Sequence, residues 1–267
     1  MSIKLVATDL DGTLVADLQT ISSRTQAAIK AAVERGVIVT IATGREYEIT
    51  HQFAKMLGLT GPIICFQGAV IQDAQTGEPI ARDILSLADT YRLIDVSRSL
   101  NVALALFAND AAYTERMTSQ GRIFLNNIGT TLVDVGDLKQ AMVKQPIKGM
   151  VIHSPEDGEA ICAQLQANLD GSLKVFRSLE NLIEITGANV SKGHALATLA
   201  AHYGLVQSEV MAIGDQDNDV DMIIWAGIGV AMGDASPNAK AAADYIAPPL
   251  AEEGAAWAIE HFILEQS

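Results

Sequence analysis

Apolar and polar positions follow two rhythms along this chain. Largely apolar runs at Ile3 to Thr8, Val37 to Ala42 and Ile63 to Phe66 are separated by stretches of helical spacing, about Ser23 to Arg35 and Glu46 to Leu57. Gly36 and Gly58 stand just past the helical stretches, where a left-handed residue ends a helix. Strands that are apolar on both faces and alternate with helices predict a parallel sheet covered on both sides.

The rhythm changes after Gln67-Gly68-Ala69. A hairpin is expected from Val70 to Gln72 and Pro79 to Asp83 around Gln75-Thr76-Gly77, leading into a helix near Ala88 to Leu100. Less uniformly apolar strands then fit Val102 to Phe107, Thr131 to Val135, Gly149 to His153, Leu173 to Arg177 and Leu182 to Ile185, with helices at Asp137 to Lys144 and Glu156 to Leu169. That mixture reads as a second α/β domain whose sheet has one solvated face. The buried rhythm resumes with a helix from Ser191 to Tyr203, strands at Val210 to Ile213, Ile228 to Ala231 and Asp244 to Ile246, and helices at about Asn218 to Ala226 and Gly254 to Leu264. The predicted fold class is therefore α/β: a doubly wound parallel-sheet core interrupted by an inserted α/β domain.

Composition narrows the function classes. With 267 residues and 49% apolar content the chain can bury one large or two modest cores. A net charge of −14 disfavours nucleic acid and anionic membrane surfaces as partners, because both require a basic footprint. An anionic substrate would need local offset by a metal and a few placed cations. Two cysteines, Cys65 and Cys162, in apolar settings argue for reduced thiols and a cytoplasmic location. No apolar stretch reaches the roughly 18 residues of a membrane span. Oligomeric state is not encoded legibly.

Candidate chemistry collects at predicted strand ends. Asp9 and Asp11 flank Leu10 directly after the first apolar run, and Gly12 lets the backbone turn closely. Residues two apart leave a strand on one side, so the two carboxylates are expected to meet, which calls for a divalent cation, an acid/base role, or both; read alone, they are equally turn residues. Thr43-Gly44-Arg45 offers a hydroxyl, an open backbone N–H and a guanidinium at a helix start, groups suited to phosphate oxygens. Gly214 to Asp219 supplies carboxylates at 215, 217 and 219 and the Asn218 amide, hard oxygen ligands in a number that suits Mg²⁺. Lys192 opens a helix where the core resumes, and its compact ammonium would serve a site holding carboxylates and a phosphate. The five histidines show no metal-ligand spacing, and no Gly-x-Gly-x-x-Gly or Walker segment is present.

These segments resemble, in order, the four motifs of the haloacid dehalogenase superfamily: Asp9-Leu10-Asp11-Gly12-Thr13-Leu14, Thr43-Gly44-Arg45, Lys192-Gly193, and Gly214-Asp215 with Asn218-Asp219. Val230-Ala231-Met232-Gly233 and Asp244-Tyr245-Ile246 with Glu253-Gly254 extend the resemblance over the whole chain, toward the Cof-type sugar-phosphatase-like subfamily. It implies a Rossmann-like core (1–83 and 188–267), an α/β cap (84–187) that closes over the site, and Mg²⁺-dependent hydrolysis of a small-molecule phosphomonoester. It further implies Asp9 as nucleophile and Asp11 as acid/base. Asp9, Asp11 (through its carbonyl), Asp215 and Asp219 would form the metal site, and Thr43, Gly44, Lys192 and Asn218 would hold the phosphoryl oxygens, with Arg45 reaching toward the leaving group or the cap. Gln67 stands where the family generally has Asn, and Asp234 where Asn commonly follows Met-Gly. A phosphomutase of the same superfamily and a non-catalytic phospholigand sensor are the alternative readings.

Overall fold

The computed structural model describes residues 2–16, 20–108, 111–127, 129–141 and 145–265. The chain divides into two compact units, Met1–Arg82 with Ser191–Ser267, and Asp83–Val190.

In the first unit five parallel strands lie in the order Tyr245–Ile246, Ile228–Ala231, Val210–Gly214, Leu5–Thr8, Ile38–Ile41. Leu5–Thr8 and Val210–Gly214 are buried at every position, which is why their sequences show no alternation. A bridge between Ala42 and Ile64 leads from the sheet edge to an antiparallel meander of Pro62–Cys65, Val70–Asp73 and Pro79–Arg82. Helix Ser23–Glu34 begins where the Ser22 hydroxyl accepts the Thr25 amide, and Lys192–His202 where the Ser191 hydroxyl accepts the His194 amide. Leu196 and Leu199 of the latter pack on Leu5, Ala7, Val210 and Ala212, one side of the core.

This strand order positions the chemistry. From Leu5–Thr8 the chain steps outward to Ile38–Ile41, and from Val210–Gly214 it steps the opposite way to Ile228–Ala231. Ligands of open α/β sheets bind outside the carboxyl ends of strands where winding reverses, here past Thr8 and Gly214.

The second unit carries a six-stranded sheet in the order Leu173–Leu179, Leu182–Gly187, Lys148–Ile152, Leu104–Phe107, Ala112–Thr114, Leu132–Asp134. Pairing is antiparallel except between the last two strands. Helices Leu87–Ser99 and Gly158–Leu169 cover one face through Leu93, Leu165 and Leu169 against Leu106, Val151 and Ile183.

Three elements escaped the sequence pattern: Ala112–Thr114, Ser119–Asn127 and Pro237–Ala242. The first has three residues, and the second carries Gly121 and two Asn and buries little. The third was recoverable, since Ser236 caps Ala239 and proline occupies the first helical turn. Of the helix expected at Asp137 to Lys144, Leu138–Ala141 is helical and residues 142–144 lie outside the described residues. The helix expected from Asn218 is a 3₁₀ turn, Asp217–Asp219, followed by Val220–Trp225. Among the described residues no helix is long and apolar enough to cross a membrane.

Candidate active site

Asp9 extends the central strand by one rung, its amide donating to the Ile213 carbonyl at 2.9 Å, so the sheet register carries it to the mouth beside Gly214. Its side chain is buried together with those of Asp215 and Asp219, and one carboxylate oxygen from each lies within 4.8 Å of the others. Lys192, 1% exposed, donates to Asp9 Oδ1 and to Asp219 Oδ1, both at 2.6 Å. Asp219 Oδ2 accepts the backbone amides of Asp215 and Gln216 at 2.9 Å, which makes it the brace of its own loop.

Asp215 is gripped on both oxygens by neutral donors: Thr13 Oγ1 to Oδ1 at 2.9 Å and Gln216 Nε2 to Oδ2 at 2.7 Å. Gly12 is required twice over here. Its φ of +84° is left-handed, and a Cβ at that position would overlap the Asp215 carboxylate. Thr13 and Gln216 were not singled out by sequence reasoning, although both sit inside the motifs that supply Asp9 and Asp215. Asp217, by contrast, accepts from Ser236 Oγ at 2.6 Å and Asn238 Nδ2 at 3.1 Å, at the start of Pro237–Ala242.

Asp11 does not join the carboxylate cluster. After Asp9 the backbone leaves extended geometry, and the amides of Leu14 and Val15 both donate to the Leu10 carbonyl at 2.9 Å. The same-side expectation for positions i and i+2 fails because the strand has already ended. Asp11 instead forms a two-pronged ion pair with Arg45, whose Nε donates to Oδ2 at 2.8 Å and whose Nη2 meets Oδ1. The Arg45 guanidinium also lies over the Phe53 ring, 5.2 Å from its centroid.

Thr43 and Gly44 follow strand Ile38–Ile41, and the Thr43 hydroxyl accepts the Arg45 amide at 3.2 Å. Asn218 donates from Nδ2 to Gln67 Oε1 at 2.9 Å. The nine sequence-predicted site residues thus sort into a buried centre (Asp9, Lys192, Asp215, Asp219), an ion pair (Asp11, Arg45), and polar groups (Thr43, Gly44, Asn218). Asp234 has a local role, accepting the Leu250 amide at 3.2 Å.

The electrostatics favour a bound cation. Three buried carboxylates face one buried ammonium, leaving two negative charges when all are ionised. Burial pushes Asp9 well above the usual carboxylate range, with Lys192 opposing and Asp219 reinforcing the rise. Asp215 is also raised, chiefly by burial, against the hydrogen bond from Gln216. Lys192 is raised despite its burial, because Asp219 and Asp9 flank it. An oxygen donor set with surplus charge of minus two fits Mg²⁺, which takes few carboxylates and keeps several waters.

A carboxyl raised on folding binds protons more tightly in the native state, so its contribution is complete below the unfolded value of about 4 and is lost as pH rises. Wild type in EDTA is therefore expected to lose stability relative to Asp9→Asn as pH is raised above that point, and Mg²⁺ should reverse the order. Thermal melts of both proteins at stepped pH check this; a gap that stays constant with pH would refute the cluster's electrostatics.

Residues 6–259 match the family of haloacid dehalogenase-like hydrolases. The chain is 33% identical over 264 residues to the 5-amino-6-(5-phospho-D-ribitylamino)uracil phosphatase YcsE of Bacillus subtilis, covering 99% of this chain and 97% of that one. A solved haloacid dehalogenase-like hydrolase from Bacteroides thetaiotaomicron superposes with a TM-score of 0.87 at 28% identity, covering 97% of this chain and 99% of the other. The HAD subclass IIB sugar phosphatase BT4131 superposes with a TM-score of 0.82 at 25% identity, covering 97% and 98%.

Proposed function

The chain belongs to the haloacid dehalogenase-like hydrolase family and is a phosphatase, and from that premise we propose that it hydrolyses small phosphomonoesters of the sugar-phosphate class with Mg²⁺, through a phosphoryl group carried on Asp9. The observation that carries this reading is the buried Asp9–Lys192–Asp219 chain beside Asp215 at the winding reversal. The substrate class rests on relatives whose names specify a phosphorylated ribityl compound and sugar phosphates.

In this reading Asp9, Asp215 and the Asp11 carbonyl would hold the ion, with Asp219 bracing the loop, and the bound ion would neutralise charge on the phosphoryl oxygens. An Asp9 oxygen attacks phosphorus while the bond to the leaving alkoxide breaks, and Asp11 delivers a proton to that oxygen. Asp11, now a carboxylate, takes a proton from the incoming water, whose oxygen bonds to phosphorus as the Asp9–phosphorus bond breaks. Lys192 fixes Asp9 Oδ1 and offsets charge, and Thr43, the Gly44 amide and Asn218 orient the transferring oxygens, since positioning and neutralisation dominate phosphoryl transfer. Arg45 pairs with the Asp11 carboxylate in the resting site, and Asp11 takes up from solvent the proton it delivers once the leaving group displaces the guanidinium.

The test is phosphate release from a panel of sugar phosphates, nucleotides, pyridoxal phosphate and an aryl phosphate, with Mg²⁺ and with EDTA. Release that requires Mg²⁺ and is greatest with sugar or sugar-alcohol phosphates is expected. Release indifferent to EDTA would refute the metal assignment, and no release from any compound would refute the reaction.

A further inference from the structure

Gln67 stands in a conformation that its residue type does not favour. Phe66, Gln67 and Gly68 have φ of +52°, +61° and +99°, three successive left-handed residues of which only one is glycine. Backbone of this kind persists only where the surroundings over-determine it. Here the Phe66 amide donates to the Arg45 carbonyl at 3.0 Å and the Gln67 amide to the Thr43 carbonyl at 3.0 Å. On the other side, a Cβ on Gly68 would collide with the Ser191 carbonyl, one residue before Lys192. The strained tripeptide is therefore wedged between the Thr43–Arg45 loop and the start of the lysine's helix.

The side chain completes the link. Gln67 is 8% exposed, and its Oε1 accepts from Asn218 Nδ2 at 2.9 Å. Its Nε2 lies so close to Gly44 that a Cβ on that glycine would overlap it. One carboxamide thus touches two of the residues assigned to the phosphoryl oxygens, Gly44 and Asn218, the latter 151 positions from Gln67 in sequence. A carboxamide rotates about a soft terminal bond, so an unpaired Asn218 would sample orientations that misdirect its remaining groups.

We propose that Gln67 is a positioning residue of the phosphoryl site, holding the Asn218 carboxamide in one orientation against Gly44. The assignment rests on the reading of the site as a phosphatase centre. Asn218 then presents a fixed edge to the substrate, and Gly44 is glycine to make room for the carboxamide that fixes it.

A double-mutant cycle tests this. Gln67→Met keeps the length and removes the acceptor. It should lower kcat/KM by roughly ten-fold, the scale of one hydrogen bond, and weaken orthophosphate binding to the Mg²⁺-loaded protein comparably, while moving the melting temperature by less than about 2 °C. In an Asn218→Ala background the same change should cost less than about two-fold, because the partner it acts through is gone. Losses that multiply in the double variant, or full activity in Gln67→Met, would overturn the assignment. Gly44→Ala gives an independent route: its loss should vanish when Gln67 is Ala, and a loss that persists there would count against the proposal. Wild type that releases no phosphate would sink the phosphatase reading instead, while orthophosphate titration would still report whether Gln67 and Asn218 are coupled.

Discussion

Asp9→Asn is expected to lower phosphate release by more than roughly 10³-fold, the scale seen when a covalent nucleophile is removed, while leaving a folded protein. The substitution preserves shape, and the Asn carbonyl oxygen can still accept from Lys192 where Asp9 Oδ1 does at 2.6 Å. It also removes one of three crowded charges, so the metal-free variant should melt no lower than wild type at neutral pH. Phosphate release against the best panel substrate, paired with thermal melts in EDTA, measures both halves. Retained Mg²⁺-dependent turnover would eliminate Asp9 as nucleophile; an unfolded variant would show that its charge is structural.

Lys192→Met is the opposite experiment and carries the largest expected stability effect. The ammonium bridges Asp9 and Asp219 with 1% of its side chain exposed, and removing one member of a buried ion cluster costs about 3–5 kcal/mol because the remaining charges stay buried. That is a fall of roughly 10 °C in melting temperature for a chain of this size. The penalty should grow with pH as the carboxyls ionise, and Mg²⁺ should recover part of it by binding only the folded state. Phosphate release should fall with it. A melting temperature within about 2 °C of wild type in EDTA would mean that the cluster is solvated or protonated.

The sequence made the core elements legible because its strands are buried on both faces and need only apolar content, as in Leu5–Thr8 and Val210–Gly214. Elements stabilised by context left no such trace: Ser119–Asn127 buries only Gly121 and Leu125. The candidate residues were legible by type, since Asp9, Lys192, Asp215 and Asp219 each follow a strand or open a helix. Their division of labour was not. Which of Asp215, Asp217 and Asp219 turns inward depends on a 3₁₀ turn, and the pairing of Asp11 with Arg45 depends on where a strand stops. Gln67 looked like a departure from a motif; only its left-handed backbone and its reach to Asn218 give it a place in the site.

The placement of Val210–Gly214 between Leu5–Thr8 and Ile228–Ala231 has a consequence for biosynthesis. A ribosome that has made Ile38–Ile41 can offer Leu5–Thr8 a partner on one edge alone. The other edge stays open until Val210–Gly214 is complete, about 170 residues later, on the order of 9–35 s at ordinary elongation rates. Asp83–Val190, a compact unit, emerges whole within that interval, whereas the N-terminal piece waits with a bare, largely apolar edge. An unpaired edge of this kind is open to mispairing until then, and the carboxylate cluster cannot assemble before the edge is closed.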